Sequence, residues 1–463
     1  MRSILITASA LALAACAAGP DYVAPQPPQS ASGTFVAATP AVTPDPVKGD
    51  WWRLYDDPVL DQLVGDALAA NTDVRAAAAR IERARALLRG AQADRLPQAT
   101  LGAGANYGRV PQIQRLPGTA RENWQIDAGL DVSYEVDLFG RLSRGVEASR
   151  GDVGAALADA EAVRVAVVAE TTRAYADAAS AAERIAVAEH IVRLLDQSLD
   201  LTERRRTVGE GTRLDTARIG ALRNERQAQV PALRAERDAA LFRLALLTGR
   251  TPADLPPIAG ARTTTLRLDR PIPVGDGAAL LSRRPDVRAA ERRLAAATAR
   301  IGVATADLYP RISLGASGGS TGTDIGDVFG AGPLRWLVGG LLNWAVNPGP
   351  ARARVAAAEA DSREALADFD GAVLRALQET ETALSSYANA LDRRTALQAA
   401  RNEAEAAVTI ARARQREGDI NSLELLDAER TFADAQAALA NADAFIADAQ
   451  VDLFRALGGN WQA

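Results

Sequence analysis

A proline-free segment from Arg352 to Arg416, with Gly371 as its only glycine, constrains the fold more than any other feature of this chain. Alanine, arginine, glutamate and leucine dominate the segment, and these residues favour helices. At about 1.5 Å per residue, one helix over this segment would be roughly 100 Å long, whereas the mean helix has about 11–12 residues. After Gly418 comes a second proline-free stretch, in which heptad spacing relates Leu425, Phe432, Leu439, Ile446 and Leu453. Heptads indicate coiled-coil packing, so the sequence predicts a very long antiparallel helical hairpin.

The composition argues against several classes of function. The 463-residue chain carries a formal net charge of −5, which disfavours a nucleic-acid partner. Its only cysteine is Cys16 and its only histidine is His190, so neither an internal disulfide nor a multi-histidine zinc or copper site is expected. His190 lies within a helical pattern among apolar residues, which favours a structural role over catalysis. We therefore expect no enzyme activity, no catalytic residues, no metal and no cofactor other than a covalent lipid.

The N-terminus has the pattern of a bacterial lipoprotein. Arg2 and the short apolar run Ile4–Ala15 resemble a signal peptide over residues 1–15, too short to span a bilayer. The run ends in Leu13-Ala14-Ala15-Cys16, which is typical of a lipobox, so Cys16 is predicted to become the lipidated first residue. Acyl chains anchor a protein to the lipid bilayer, and Ala17, rather than aspartate, favours delivery to the outer membrane. The proline-rich residues 16–50 are predicted to form an extended lipidated tether.

Two segments have the alternation of membrane strands. From Trp124 to Asp137, apolar residues alternate strictly with polar residues and glycine, which places the two sets on opposite faces of a β-strand. The run is longer than a typical strand of about 5–6 residues and suits a tilted transmembrane strand. We predict a β-hairpin over 97–137 and a second one over 310–346, with a Gly/Ser/Thr-rich loop at 318–333. Three acids on the polar face of the first hairpin, Asp127, Asp131 and Glu135, are predicted to line a barrel lumen and to favour cations.

The chain also contains an internal duplication, because Pro97, Trp124 and Gly209 recur at a near-constant offset as Pro310, Trp336 and Gly418. We assign the first repeat to 51–250 and the second to 280–463, joined by a linker at 251–279. Each repeat comprises a helix, a β-hairpin and a long helical hairpin. The helical hairpins are predicted to turn at 209–211 and at 418.

Four membrane strands cannot close a barrel, and open sheet edges do not occur in lipid. Copies of the chain must therefore pool their strands as a dimer, a trimer or a tetramer. A lumen inside both sheet and helices favours about 12 strands or more, and so a trimer over a dimer. The residues alone thus predict an α+β membrane protein whose copies pool four strands each into one barrel, with the number of copies still open.

Several short motifs carry a resemblance to a known family. They are Cys16 with Gly19-Pro20-Asp21-Tyr22, Ala67-Leu68 with Asn71, Arg283-Arg284-Pro285-Asp286-Val287, Ile301-Gly302-Val303-Ala304, and Leu423–Leu426 with Asp427-Ala428. Together they resemble the outer-membrane factor lipoproteins of tripartite efflux pumps, which are relatives of TolC and OprM in the NodT group. The resemblance implies the complete fold class, a trimeric, about 12-stranded outer-membrane β-barrel that is continuous with a long antiparallel α-helical periplasmic barrel. It also implies a homotrimer in the outer membrane of a Gram-negative bacterium that docks to a periplasmic adaptor and an inner-membrane transporter, usually of the RND type.

The resemblance also assigns roles to residues at the hairpin ends. Val208, Gly209, Gly418 and Asp419 match segments that meet the adaptor, although both glycines could simply cap helices. Glu424 and Asp427 match paired acids that ring a closed periplasmic entrance; by themselves they would suit the solvated start of a helix. A ring of carboxylates would attract cations and would close only with counter-ions or proton uptake. Asp215 matches a position that links one hairpin to its neighbour.

The implied function is a passive conduit that exports drugs or other small solutes. The sequence departs from the family pattern at Ala345–Pro350, so the turn from the last strand into the long helix is built differently. Two alternatives stay open at this point. One is an exit duct for type I protein secretion, and the other is a non-conducting structural lipoprotein, for which alternating strands flanked by tryptophan would have no use.

Overall fold

The computed structural model describes residues 17–46, 49–109, 111–114, 117–118, 120–328, 330 and 334–458. The predicted signal peptide and Cys16 lie outside the described residues. The described helices are α1 (Pro58–Ala70), α2 (Thr72–Ala93), α3 (Arg141–Thr207), α4 (Arg213–Leu247), α5 (Gly277–Arg283), α6 (Pro285–Ala306), α7 (Ile325–Val328), α8 (Gly349–Glu417) and α9 (Ser422–Ala456). The strands are β1 (Val42–Thr43), β2 (Gln98–Arg109), β3 (Glu122–Val136), β4 (Ile272–Pro273), β5 (Arg311–Gly322) and β6 (Leu334–Asn343). Short 3-10 turns occupy Gln29–Ala31, Trp51–Tyr55, Gln112–Gln114, Pro252–Asp254 and Pro257–Gly260.

The long helical hairpins predicted from the sequence are present. Helices α3 and α8 contain 67 and 69 residues, and each is followed by a helix of 35 residues, α4 or α9. Pro231 lies inside α4, which continues through it. Other elements also match in length between the two halves: α2 and α6 have 22 residues each, and β2 and β5 have 12 each. These equal lengths are those expected of a duplicated chain.

Two segments that looked like single helices are each divided in two. Asn71 separates α1 from α2, because its side-chain oxygen accepts hydrogen bonds from the backbone of Asp73 at 2.8 Å and of Val74 at 3.3 Å. It thereby caps the start of α2. Arg284 separates α5 from α6 and has extended backbone angles, φ −63° and ψ 121°. It precedes Pro285, whose ring disfavours the helical region for the residue before it.

The glycine- and serine-rich run predicted as a loop from residue 318 is partly strand. Strand β5 continues to Gly322 and is hydrogen-bonded on both sides, to β3 and to β6. A Cβ at Gly319 would lie 2.6 Å from the backbone oxygen of Ala128, so this position needs glycine for a close strand approach. At the other end, β6 stops at Asn343, before the predicted end of the hairpin at 346.

The chain forms two compact units, and these do not coincide with the two sequence repeats. Among the described residues, one unit comprises residues 17–25, Arg80–Leu157 and Ala289–Phe369, and it contains the four-stranded sheet. The other comprises Gln26–Ala79, Ala158–Arg288 and residues 370–458. Both repeats contribute to both units, because each long helix, α3 and α8, has residues in the two of them.

The second unit holds the main hydrophobic core. Trp51 is 1% exposed and stacks on Phe454, with ring centroids 4.5 Å apart and planes inclined by 11°. Leu60, Tyr175 and Leu384 are also buried in this cluster. A stacked aromatic pair adds about 0.5–1.5 kcal/mol to the stabilisation that burial of its area provides. The core thus fixes the turn at Trp51–Tyr55 against the end of α9.

Much of the segment predicted as a free tether is packed against the protein. In the first unit, Asp21 pairs with the buried Arg144 at 2.6 Å, and the hydroxyl of Tyr22 donates to Glu291 at 2.7 Å. In the second unit, Phe35 is 6% exposed, and β1 pairs with β4 in parallel. Proline keeps this segment extended, but the side chains between the prolines make specific contacts. The segment predicted as an extended lipidated tether over 16–50 therefore also makes specific contacts with the rest of the protein at some of its described residues.

Candidate functional site: the two-faced sheet and the ends of the helical hairpins

Four antiparallel strands form one sheet in the order β2-β3-β5-β6. The register pairs Leu101 with Leu130 and Asp131 with Ser317, so that apolar and polar side chains align separately across β2, β3 and β5. The polar face carries Gln98, Thr100, Asn106, Asp127, Asp131, Ser133, Glu135, Ser313, Ser317, Thr321 and Arg335, but on β6 it also carries Leu337 and Leu341. The opposite face carries Leu101, Ala105, Tyr107, Trp124, Ile126, Leu130, Val132, Leu314, Trp336, Val338 and Leu342.

The apolar face has the features of a lipid-facing surface. Trp336 is 78% exposed and Val338 is 70% exposed, which is costly in water and favourable in hydrocarbon. Near one end of the sheet, Tyr107 and Trp124 lie with ring centroids 5.5 Å apart. Aromatic side chains near strand ends are typical of membrane barrels, where they sit at the membrane–water interface.

Both outer edges of the sheet are open in a single chain. Every residue of β2 and of β6 is exposed. In the part of the chain that the structure describes, β2 pairs only with β3, and β6 pairs only with β5. Unpaired backbone N–H and C=O groups are not tolerated in a membrane, so both edges require partners.

The three predicted lumen acids lie on the polar face in different surroundings. Asp127 accepts a hydrogen bond from the Thr321 hydroxyl at 2.6 Å. Glu135 forms a bidentate ion pair with Arg141, at 2.8 and 2.6 Å, which neutralises its charge. Asp131 has no hydrogen bond or ion pair among the described residues. The placement on one face agrees with the alternation in the sequence, whereas sequence reasoning missed Arg141, whose helix places it beside the strand.

The two hairpin ends are built alike. Helix α3 ends with Gly209 at φ 82°, and its N–H bonds to the carbonyl of Arg206 at 3.1 Å. Helix α8 ends with Gly418 at φ 80°, with the equivalent bond to Gln415, also at 3.1 Å. The next residue in each turn bonds one position further back, which completes a glycine-dependent helix end. Both glycines thus cap their helices through backbone hydrogen bonds, and a Cβ at either one would meet nothing within 4 Å, which leaves the turns accessible to a partner.

The other predicted contact residues are accessible at these ends. Val208 is 72% exposed, and the carboxylate of Asp419 accepts a hydrogen bond from Arg414 at 2.7 Å. Both residues are exposed, each at its own turn. All four predicted contact residues, Val208, Gly209, Gly418 and Asp419, therefore lie at the two hairpin ends, and their role as adaptor contacts stays a prediction.

The predicted gate acids lie at the start of α9. Glu424 and Asp427 are exposed, one helical turn apart on one face. The backbone N–H of Glu424 donates to the side-chain oxygen of Asn421 at 3.0 Å, and its carboxylate accepts from the Asn421 amide at 2.8 Å. Glu424 is thus part of a helix cap, while the Asp427 carboxylate has no partner among the described residues.

Asp215 also belongs to a helix cap. Its carboxylate accepts hydrogen bonds from the Thr212 hydroxyl at 2.6 Å and the Thr212 backbone at 3.0 Å, which lowers its pKa. Within one chain it stabilises the start of α4, and the predicted link to a neighbouring hairpin stays a prediction.

Further along the helices lies a cavity of about 610 Å³ that sequence reasoning missed. Asp177 of α3 and Asp448 of α9 share a hydrogen bond there, and Arg243 donates to Asp177 at 3.1 Å. Burial, and then the charge of Asp177, raise the pKa of Asp448 to about 7. Carboxyls this far apart in the chain carry no sequence signal, because only the packing of the two helices brings them together.

The structure adds two general findings about the described residues. None of their helices combines the length and the low polarity that a membrane-crossing helix needs. Among these same residues, no three histidine, cysteine, aspartate or glutamate side chains are grouped as a metal site would require.

Comparison with known proteins decides the family. Residues 63–250 and 278–459, which together make up more than half of the chain, match the profile described as "Outer membrane efflux protein". The chain belongs to the outer membrane efflux protein family. A similar family member is the outer membrane protein OprJ of Pseudomonas aeruginosa, 33% identical over 458 residues that cover 98% of this chain and 94% of OprJ. Another is the pyoverdine export outer membrane protein OpmQ of Pseudomonas putida, 32% identical over 419 residues that cover 89% and 88%.

Solved structures of outer-membrane channels share the fold. The channel OprN is 38% identical with a TM-score of 0.90, and the match covers 97% of this chain and 100% of the OprN chain. The open state of the MtrE channel of Neisseria gonorrhoeae is 27% identical with a TM-score of 0.84, covering 97% and 100%. The predicted family, fold class and outer-membrane location are therefore confirmed. The chain is an outer-membrane channel of an efflux system, which removes the non-conducting lipoprotein alternative.

Proposed function

We propose that three copies of this chain close into one continuous barrel of about 12 strands and act as a passive, non-enzymatic exit duct. The open edges of β2 and β6 carry this proposal. The strands alternate in direction across the sheet, so β2 and β6 run antiparallel to each other. Pairing β6 of one copy with β2 of the next therefore extends the same antiparallel pattern and can close around an axis.

In such a barrel the polar face would line water and the apolar face would meet lipid. This arrangement supports a water-filled path for solutes, since threonine, serine and aspartate side chains accept contact with water at little cost. A conduit needs only a lumen of suitable size and polarity. Accordingly, we assign no catalytic residue and no cofactor to the chain.

The proposed partners are a periplasmic adaptor, which would contact the turns around Gly209 and Gly418, and an inner-membrane transporter of the RND type. The names of relatives refer to the efflux of antibiotics, toluene and solvents, and to pyoverdine export. These names favour small organic solutes as cargo over the secreted proteins of a type I system. We further propose that Cys16 carries a lipid that anchors the chain to the outer membrane.

Engineered cysteines can test how the chains close. Ala103→Cys on β2 would be combined in turn with Trp336→Cys, Val338→Cys and Gly340→Cys on β6. At least one combination is expected to give disulfide-linked dimers and trimers on oxidation, because these residues lie on the same face of the two open edges. As a matched control, cysteines at Leu130 and Gly318, already paired within one chain, should give no intermolecular product.

The cross-linked trimer should still conduct ions in a planar lipid bilayer. Failure of every edge combination to cross-link, together with an absence of conductance by the purified wild type, would rule out the proposed duct.

A further inference from the structure

We infer that Glu429 is a positioning residue that holds the start of α9 against α3 and α8 and so favours a closed entrance. The inference rests on the proposed function, because it concerns the state of the same duct. Glu429 has no place among the residues that the sequence motifs single out. It lies on α9 shortly after the two gate acids, Glu424 and Asp427.

Glu429 connects three helices through one buried carboxylate. Its side chain is 2% exposed. One oxygen, Oε1, accepts a short hydrogen bond from the Ser198 hydroxyl of α3. The same oxygen accepts from Nε and Nη2 of Arg412 on α8, each at 3.4 Å. A change at this side chain therefore acts on all three helices at once.

The surroundings of Glu429 are otherwise apolar. Leu425 is 2% exposed on one side of it along α9, and Phe432 and Ala433 are 5% and 2% exposed on the other. Phe432 packs in a cluster with Val408 of α8, and Ala433 packs in another with Leu195 of α3. A charge in such a layer is strongly attracted to its one partner, and it is costly when that partner is lost.

The contact is incompletely satisfied. The second carboxylate oxygen, Oε2, is buried and has no hydrogen-bond partner among the described residues. The two bonds from Arg412 are long at 3.4 Å, and charge-assisted hydrogen bonds are usually about 2.7–2.9 Å. These contacts therefore offset only part of the free-energy cost of desolvating Glu429. A rearrangement that lets water reach the carboxylate would cost little free energy, because water would replace the lost contacts. Such a contact holds one state of the entrance without locking it irreversibly.

The duplication supplies an internal comparison. Gly209 and Gly418 are equivalent turn residues, and Gly220 lies as far beyond the first as Glu429 lies beyond the second. Nothing within 4 Å would meet a side chain at Gly220. The buried charge is therefore present at only one of the two equivalent positions, on the hairpin that carries Glu424 and Asp427. A contact needed merely to pack a helical hairpin would be expected in both repeats.

Protonation gives this residue a measurable signature. Burial raises the pKa of Glu429, and the Ser198 hydroxyl and Arg412 oppose that shift. Arg412 is the charged group that faces it from α8, and Ser198 faces it from α3. Helix α4 packs nearby through Leu222, and its buried Arg226 forms an ion pair with Asp434 at 2.6 Å rather than with Glu429. Acidification would neutralise Glu429 and release Arg412, so the entrance should open more often as the pH falls.

The test uses the purified full chain in planar lipid bilayers. Glu429→Gln and Arg412→Gln should each raise the ratio of open to closed time about five- to tenfold, within the usual range of coupling between sites. The double variant should show no further increase, because both changes break one contact. Glu403→Gln, at an exposed position of α8, is the matched control and should behave as the wild type. Ser198→Ala is a milder variant that should give an intermediate increase.

The pH profile separates positioning from simple packing. Wild-type channels should open more often on acidification, and Glu429→Gln should lack this step. Variants that conduct as the wild type at every pH, even if they melt at a lower temperature, would overturn the inference and leave the proposed duct intact. Additive effects of Glu429→Gln and Arg412→Gln would overturn it as well. A wild type that never conducts would instead overturn the proposed function, and this inference with it.

Discussion

At the scale of single residues, the acidic side chains of this protein have different roles because their neighbours differ. Asp215 and Glu424 cap helices, Glu135 is neutralised by Arg141, and Glu429 is buried between helices. The sequence places Glu424 and Asp427 one turn apart and thereby predicts that they share a face. It could not predict the Arg141 and Ser198 contacts, because residues distant in sequence or on another element make them.

The first prediction concerns the gate acids. In a trimer, carboxylates of neighbouring copies would face one another, and only bound cations or protons would let them approach. Glu424→Gln combined with Asp427→Asn removes the groups that hold such cations. We expect this variant to conduct severalfold more than the wild type in millimolar Mg²⁺, measured as single-channel current. Asp392→Asn, an exposed acid on α8, should have no effect. Equal currents in the double variant and the wild type would count against the assigned gate.

The lumen acids give a second prediction at this scale. Asp131 is free among the described residues. Asp127 bonds to the Thr321 hydroxyl and has only a long ion pair with Arg335, at 3.9 Å, whereas Glu135 is closely paired with Arg141 at 2.6 Å. Asp127→Asn with Asp131→Asn should therefore reduce the preference for cations, measured as a reversal potential across a salt gradient. Glu135→Gln alone should also shift the ion selectivity towards anions, because this substitution leaves Arg141 unpaired. Unchanged selectivity in the Asp127/Asp131 double variant would show that this face does not line the lumen.

At the scale of elements, local pattern predicted what is built locally. The long helices follow from composition and from the absence of proline, and β3 follows from alternation. The breaks at Asn71 and Arg284 depend on capping and on the residue after the break. Two elements could not be predicted in this way. The glycine run of β5 has little strand propensity and is held by pairing on both sides, and the segment before Trp51 is held by tertiary contacts.

The packing of α3 against α9 yields a prediction about pH. The folded chain binds the proton shared by Asp177 and Asp448 more tightly than the unfolded chain does, since the pKa of Asp448 is raised from 3.8 to about 7. Its contribution to stability is therefore largest while the proton is bound and falls as the pH rises from about 4 to about 7. Above that range the loss is complete and constant.

Asp448→Asn should remove this dependence. At pH 8 the variant should melt a few °C higher than the wild type, because the half-buried pair costs on the order of 1 kcal/mol after screening by solvent. At pH 5 the gain should be smaller. The measurement is the melting temperature in detergent at a fixed scan rate, with Asp392→Asn as the exposed control. A variant that is less stable than the wild type at pH 8 would contradict the assigned proton sharing.

At the scale of the whole molecule, one chain is incomplete. Its sheet has a polar face, an apolar face and two open edges, and the polar face and the open edges are not stable in a bilayer until the edges meet. The family and its fold are established, and closure of strands and helices around a lumen requires several copies, of which we propose three. Light scattering of the detergent-solubilised protein, combined with electron microscopy of the same sample, tests this requirement most directly. We predict a mass of three chains and threefold particles with an axial opening; a monomeric mass, or particles without an opening, would contradict the account.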